Sequence, residues 1–166
     1  MSNESQPIVS IIGAAVSTET QDADAEKVGR LLAEQGFILA CGGRGGVMQA
    51  ACRGALEAGG LTIGILPGSD AEAGNPFLSI ALPTGLKHAR NVLVVLAGQV
   101  VIAIGGGSGT LSEIAMALKM GKKVIGLHTW EAKNYQGELV DIHVVDSAEE
   151  AVSVATAYLS TSGLGE

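Results

Sequence analysis

Aromatic residues are nearly missing from this chain: two phenylalanines, two tyrosines and one tryptophan in 166 residues. A core built on ring packing is excluded, so aliphatic and alanine side chains must fill the interior. That composition suits helices lying close on a sheet. Basic residues are also few, 10 against 17 acidic ones, for a formal net charge of −7. The balance speaks against a nucleic-acid partner or an anionic membrane surface. An anion site on such a protein has to draw its attraction locally, from backbone amides and a few cations. The only basic run, Lys122-Lys123, reads as a solvated helix-to-strand turn. Cys41 and Cys52, the only cysteines, stand eleven apart. They suggest neither a metal site nor a disulfide framework, and read as buried free thiols of a reducing cytoplasm. Long apolar runs are lacking too. Val92 to Ile104 is broken by Gly98-Gln99 and falls short of a membrane span. Met1 to Gln6 is polar, without the charged-then-apolar order of a signal peptide. The expectation is one cytoplasmic domain over residues 7–160, between flexible ends at 1–6 and 161–166.

Glycine is plentiful instead: 24 residues, about twice the ~7% of ordinary proteins. The most informative cluster is Gly105-Gly106-Gly107-Ser108-Gly109-Thr110-Leu111-Ser112-Glu113. Val100 to Ile104 before it is apolar and β-branched, the pattern of a strand buried on both faces. Leu111, Ile114, Ala115 and Leu118 after it recur at helical spacing. A strand, a tight turn and a helix in succession place unpaired N–H groups and the positive end of a helix dipole at one point. The expected guest is an anion, a phosphate above all. Two plainer readings stand beside it. Glycines there can simply let a helix approach a sheet, and Thr110-Leu111-Ser112-Glu113 has the spacing of a capping box. Near a helix N-terminus Glu113 should stay ionised. No lysine follows the turn, so it is not a triphosphate loop. The next strand ends at His128 without an acid for a ribose, so NAD is not expected.

The pattern occurs twice. Gly42-Gly43-Arg44-Gly45-Gly46-Val47-Met48-Gln49-Ala50 aligns with Gly106 to Ile114, and each copy links a strand to an alanine-rich helix and another strand. Two βαβ units of one design make an open parallel sheet with helices on both faces, an α/β Rossmann-like domain. Ligands bind such sheets beyond the carboxyl ends of the strands, so both turns should face one crevice. Gly13-Ala14-Ala15, after the Ile8 to Ile12 strand, is a small-residue turn that leaves room above it. Arg90 heads a helix expected from Gly85 to Ala97, and its planar fork suits a bidentate grip on phosphate. Arg44 inside the first glycine turn can cap the same anion, or stand as a surface cation. Trp130 at the ligand edge can stack a ring or pack on a neighbouring subunit, and His88 can polarise a ligand oxygen or lie exposed. The turn-rich loop from Leu66 to Pro76 reads equally as a lid or as a surface connection. A first helix should open at Asp22 or Asp24, and the last should run from Ala148 to Leu159.

Taken together, Cys41 to Met48, Ile65-Leu66-Pro67-Gly68, Asn75-Pro76, Pro83-Thr84-Gly85-Leu86, Ala89-Arg90-Asn91 and Gly105 to Glu113 resemble the molybdenum-cofactor carrier proteins. Those belong to a superfamily that includes the Lonely Guy phosphoribohydrolases, often mislabelled as lysine decarboxylases. The likeness runs over roughly Ile8 to Leu127. It implies a Rossmann-like sheet, a homo-oligomer (dimer or tetramer), and a phosphate-bearing ligand held at the two glycine turns with Arg90 and Asn91. For the carrier branch that ligand is the molybdenum cofactor, passed on to molybdoenzyme recipients. In the hydrolase branch the residues matching Arg90 and Glu113 are catalytic in splitting a nucleoside 5′-monophosphate. This chain departs from that branch at Asn91, where lysine is usual, and at Gly105, where proline opens the motif. Both departures suit the carrier branch. No lysine sits where it could anchor pyridoxal phosphate.

Overall fold

The computed structural model describes residues 5–162. The expected flexible ends therefore lie mostly outside the described residues, at 1–4 and 163–166. Seven strands form one sheet: β1 (Ile8–Gly13), β2 (Ile38–Cys41), β3 (Thr62–Leu66), β4 (Ile80–Pro83), β5 (Val100–Ile104), β6 (Lys123–Leu127) and β7 (His143–Val145). Every pairing is parallel, in the order β4-β3-β2-β1-β5-β6-β7. β5 is buried along its whole length, as its unbroken β-branched run requires. Its register with β1 pairs Val9 with Val100 and Gly13 with Ile104.

Five α-helices cover the two faces: α1 (Glu19–Glu34), α2 (Val47–Glu57), α3 (Asn91–Ala97), α4 (Ser108–Lys119) and α5 (Ala148–Ser162). Val28 and Leu32 of α1, Ala51 and Cys52 of α2, and Ala151 of α5 share one core with the outer faces of β1, β2 and β5. Val94 and Val95 of α3 and Ile114 and Ala117 of α4 form the other with Ile12, Val101 and Ala103. The chain winds from β1 outward to β4, then returns to place β5 on the other side of β1. The sheet thus changes direction between β1 and β5, and a crevice opens above their carboxyl ends.

Several boundaries differ from the sequence expectation. α1 begins three residues ahead of Asp22, because Thr18 caps it by accepting the Gln21 N–H while Gln21 reaches back to the Thr18 N–H. α5 continues to Ser162 beyond the expected end at Leu159. The segment bearing Arg90 is a 3₁₀ turn, Lys87–Arg90, running into α3. Lys122 is not simply solvated: its Nζ donates to the Leu96 and Gly98 carbonyls and caps the end of α3.

Candidate ligand-binding site

The crevice has a volume of about 360 Å³. Its walls are the end of β1 and the turn after it (Ile11 to Ala15), Gly42, Met48, the stretch His88, Arg90 and Asn91, and Gly107 to Thr110 with Glu113. α4 starts at Ser108 with Gly107 as its N-cap, and no side chain caps it. The first-turn N–H groups are therefore left for a ligand. A Cβ on Gly107 or Gly109 would meet nothing in the chain. Neither position has positive φ. Close packing thus does not account for glycine at these two positions, whereas both leave bare backbone open to the crevice.

The same early start of α4 removes the capping box. Thr110 lies inside the helix, and Glu113 falls in its second turn rather than the first. Glu113 is buried, 8% exposed, and burial pushes its carboxyl up to about 7, with the Arg90 charge opposing the rise. The expectation of a fully ionised Glu113 is corrected accordingly: the helix dipole acts on the first turn and fades beyond it. At neutral pH this group is poised between donor and acceptor.

Arg90 is held from below. Its Nη1 donates to the Ile65 carbonyl at 2.6 Å, while its buried Nε has no partner among the described residues. Partial burial lowers its pKa, and Glu113 opposes that shift. A cation half out of water, with an unused donor, beside an open helix terminus is suited to an anion.

The remaining sequence candidates are divided. Of the first glycine turn, only Gly42 lines the crevice. The α2 terminus is covered instead, since the Val47 N–H donates to the Ala14 carbonyl at 3.0 Å and Gly46 packs against Ala14 and Ala15. Gly43 packs on Leu66 and Gly64, and Gly45 faces Ala15. Arg44 is exposed and faces an adjoining cavity. Gly105 and Gly106 turn to the rear of the α4 loop, where they line a hollow with His128, Thr129 and Trp130. Trp130 does not reach the crevice; its Nε1 donates to the Gly107 carbonyl at 3.1 Å and braces the turn from behind. Thr129 does the same at the Gly105 carbonyl. Ala15, the last residue of the small turn after β1, and Met48, the last of the Cys41 to Met48 motif, line the crevice as well, although sequence assigned neither a contact.

Asn75 entered the sequence reading only as part of the Asn75-Pro76 motif, with no role assigned. It is buried, its Nδ2 donates to the Arg44 carbonyl at 3.1 Å, and its own N–H donates to the Gly43 carbonyl at 2.9 Å. The loop from Leu66 to Pro76 is thereby tied to the first glycine turn, which favours a connection over a lid. Cys41 and Cys52 are free and buried as expected, with sulfurs 3.5 Å apart.

Fold and crevice together define an α/β protein of Rossmann-like type with an anion-suited pocket at the point where strand order reverses. The chain belongs to the SLOG cluster4 family (LDcluster4), whose model matches residues 6–154. It is similar to the molybdenum cofactor binding protein from the phototrophic bacterium Rippkaea orientalis, with a TM-score of 0.85 and 36% identity over 95% of this chain and 99% of that one. The Moco carrier protein from Chlamydomonas reinhardtii gives a TM-score of 0.82 and 36% identity, again over 95% and 99%. A cytokinin riboside 5′-monophosphate phosphoribohydrolase from Rhodococcoides fascians is 33% identical over 108 residues, 63% of this chain and 54% of that protein. The resemblance read from the motifs thus holds over almost the whole chain.

Proposed function

We propose that this protein binds and carries the molybdenum cofactor, holding its phosphate at the α4 terminus. The observation that carries this reading is the conjunction of an uncapped helix end, Arg90 and Glu113 in one crevice, in a chain that matches two proteins named for that cofactor over nearly their full length. The N–H groups of the first α4 turn and the free donors of Arg90 supply charge-assisted bonds to a phosphate. Glu113, near half protonation at neutral pH, adds a donor when protonated and lessens repulsion of the anion. The apolar ends of β1 and Met48 offer surface to a flat ring system.

A specific feature disfavours hydrolysis of a nucleoside monophosphate. Asn91, which lines the crevice, is neutral where the hydrolase branch has a lysine, so one cation of that constellation is missing. Gly105 likewise replaces the proline of that branch. The hydrolase relative also shares only part of its length with this chain. The carrier would work in the cytoplasm and hand the cofactor to molybdoenzymes. None of the described helices is long and apolar enough to cross a membrane.

A homo-oligomer belongs to the same proposal. Leu86 and Leu96, flanking Arg90 in sequence, are each about half exposed (49% and 52%), and a second copy would cover them. Light scattering at micromolar concentration should give at least a dimer; a monomer would contradict this. The function itself is tested by mixing the purified protein with the released cofactor. Stoichiometric binding and slower oxidative loss of the cofactor are expected, and loss at the rate seen without protein would contradict the reading.

A further inference from the structure

A second cavity, of about 520 Å³, adjoins the crevice and shares Ala15, Met48, His88 and Arg90 with it. Its charged lining is Arg44, Lys87 and Arg90, with His88 beside them, and no carboxylate lines it. The chain as a whole has a net charge of −7, so three cations around one hollow run against its composition. They feel one another, since Arg44 depresses the pKa of Arg90. Among the described residues the side chains of Arg44, Lys87 and His88 have no hydrogen-bonding or ion-pair partner. Like charges clustered in a hollow that no carboxylate lines repel one another, and an anion there would reverse that cost.

The backbone presents these groups firmly. The Lys87 N–H donates to the Pro67 carbonyl at 2.9 Å and the Gly85 N–H to the Gly68 carbonyl at 2.8 Å. Thr84 Oγ1 donates to the Leu66 carbonyl at 2.7 Å. The ends of β3 and β4 are thereby stitched together under Lys87, which is held at φ 52. Across the hollow, the Asn75 amide fixes the Arg44 carbonyl.

We propose that this cavity is a second oxyanion subsite, so that the ligand carries an anionic group at each end. One is the phosphate at α4; the other is a tetrahedral oxyanion, a second phosphate or a metal oxyanion, among Arg44, Lys87 and His88. The two-ended ligand rests on the carrier reading, whereas the subsite itself does not.

Tungstate alone is the probe. Crystals soaked in tungstate should show two anomalous peaks per chain, one at Gly107 to Thr110 and one between Arg44 and Lys87. Equilibrium dialysis should give two sites in the native protein. In the R44Q/K87Q double variant one site should remain and the other should weaken at least tenfold. Both residues are exposed, and glutamine at each position keeps a polar side chain without the charge, so an unchanged melting temperature should certify the fold. No tungstate between Arg44 and Lys87, or undiminished binding in the double variant, overturns the subsite. If the native protein and the double variant bind the released cofactor equally, the two-ended ligand is overturned while the carrier reading stands. If the native protein binds tungstate at both places but not the cofactor, the subsite is upheld and the carrier reading falls.

Discussion

Arg90 fills the space that a side chain at position 42 would need: a Cβ on Gly42 would collide with its Nη1. Glycine at the end of β2 is therefore the condition for placing this guanidinium under the crevice. Gly42→Ala should push Arg90 away from the Ile65 carbonyl, to which it donates at 2.6 Å. The loss of a charged hydrogen bond at a partly buried site predicts a destabilisation of about 1.5–3 kcal/mol. Urea unfolding measures it, and a loss below about 0.5 kcal/mol would show that Arg90 relocates freely.

Arg90 itself should matter to binding as well as to folding. Arg90→Ala removes the free donors next to the α4 terminus, predicting a loss of about 1.5–3 kcal/mol in phosphate-ligand affinity. That is roughly ten- to a hundredfold in Kd by titration calorimetry. Arg90→Lys should restore only part, because an ammonium cannot hold the Ile65 carbonyl and a phosphate in the planar geometry of a guanidinium. Unchanged affinity in the alanine variant would make Arg90 purely structural.

Glu113 predicts a pH dependence of stability. Its carboxyl titrates near 7 in the folded protein but near 4.3 when unfolded. Between these values the native state holds the extra proton, so stability falls as pH rises from about 4.5 to 7 and levels off above. The contribution over that window is about 3 kcal/mol, as an order of magnitude. Glu113→Gln should flatten this slope and raise the melting temperature at pH 8. Equal slopes in native and variant would place the titration elsewhere.

The sheet was largely legible in the sequence because β1, β3 and β5 are short β-branched runs ended by small, proline or glycine-rich turns, and β6 is a similar apolar run that stops at His128. What was missed depended on contacts between distant segments or on polar helix starts. The opening turn of α1 carries Thr18, Glu19, Thr20 and Gln21, a capping box without apolar periodicity. At α4 the first apolar position, Leu111, comes after three helical residues, which made Thr110 look like a cap and Glu113 like a first-turn acid. The internal repeat correctly gave two βαβ units, yet only one helix terminus is open. Ala14 covers the other, and nothing in either copy of the motif records that. The side on which Trp130 packs was equally undecided in sequence, because it depends on where the β6 end meets the β5 turn.

That placement makes Trp130 a support rather than a stacking platform. Trp130→Phe keeps the ring but removes the donor to the Gly107 carbonyl. The expected result is a few-fold weaker phosphate affinity with a stability change of about 1 kcal/mol or less. A loss of ring-dependent ligand binding without any effect on phosphate affinity would show that the indole contacts the ligand directly.

Whether the protein carries the cofactor or hydrolyses a nucleotide is decided by incubating it, purified, with AMP and measuring released adenine, beside its binding of the molybdenum cofactor. Tight cofactor binding with little or no adenine is the expected result. Robust adenine release, abolished by Glu113→Gln while AMP still binds, would contradict it and make Arg90 and Glu113 the catalytic pair of an N-glycosidic hydrolase.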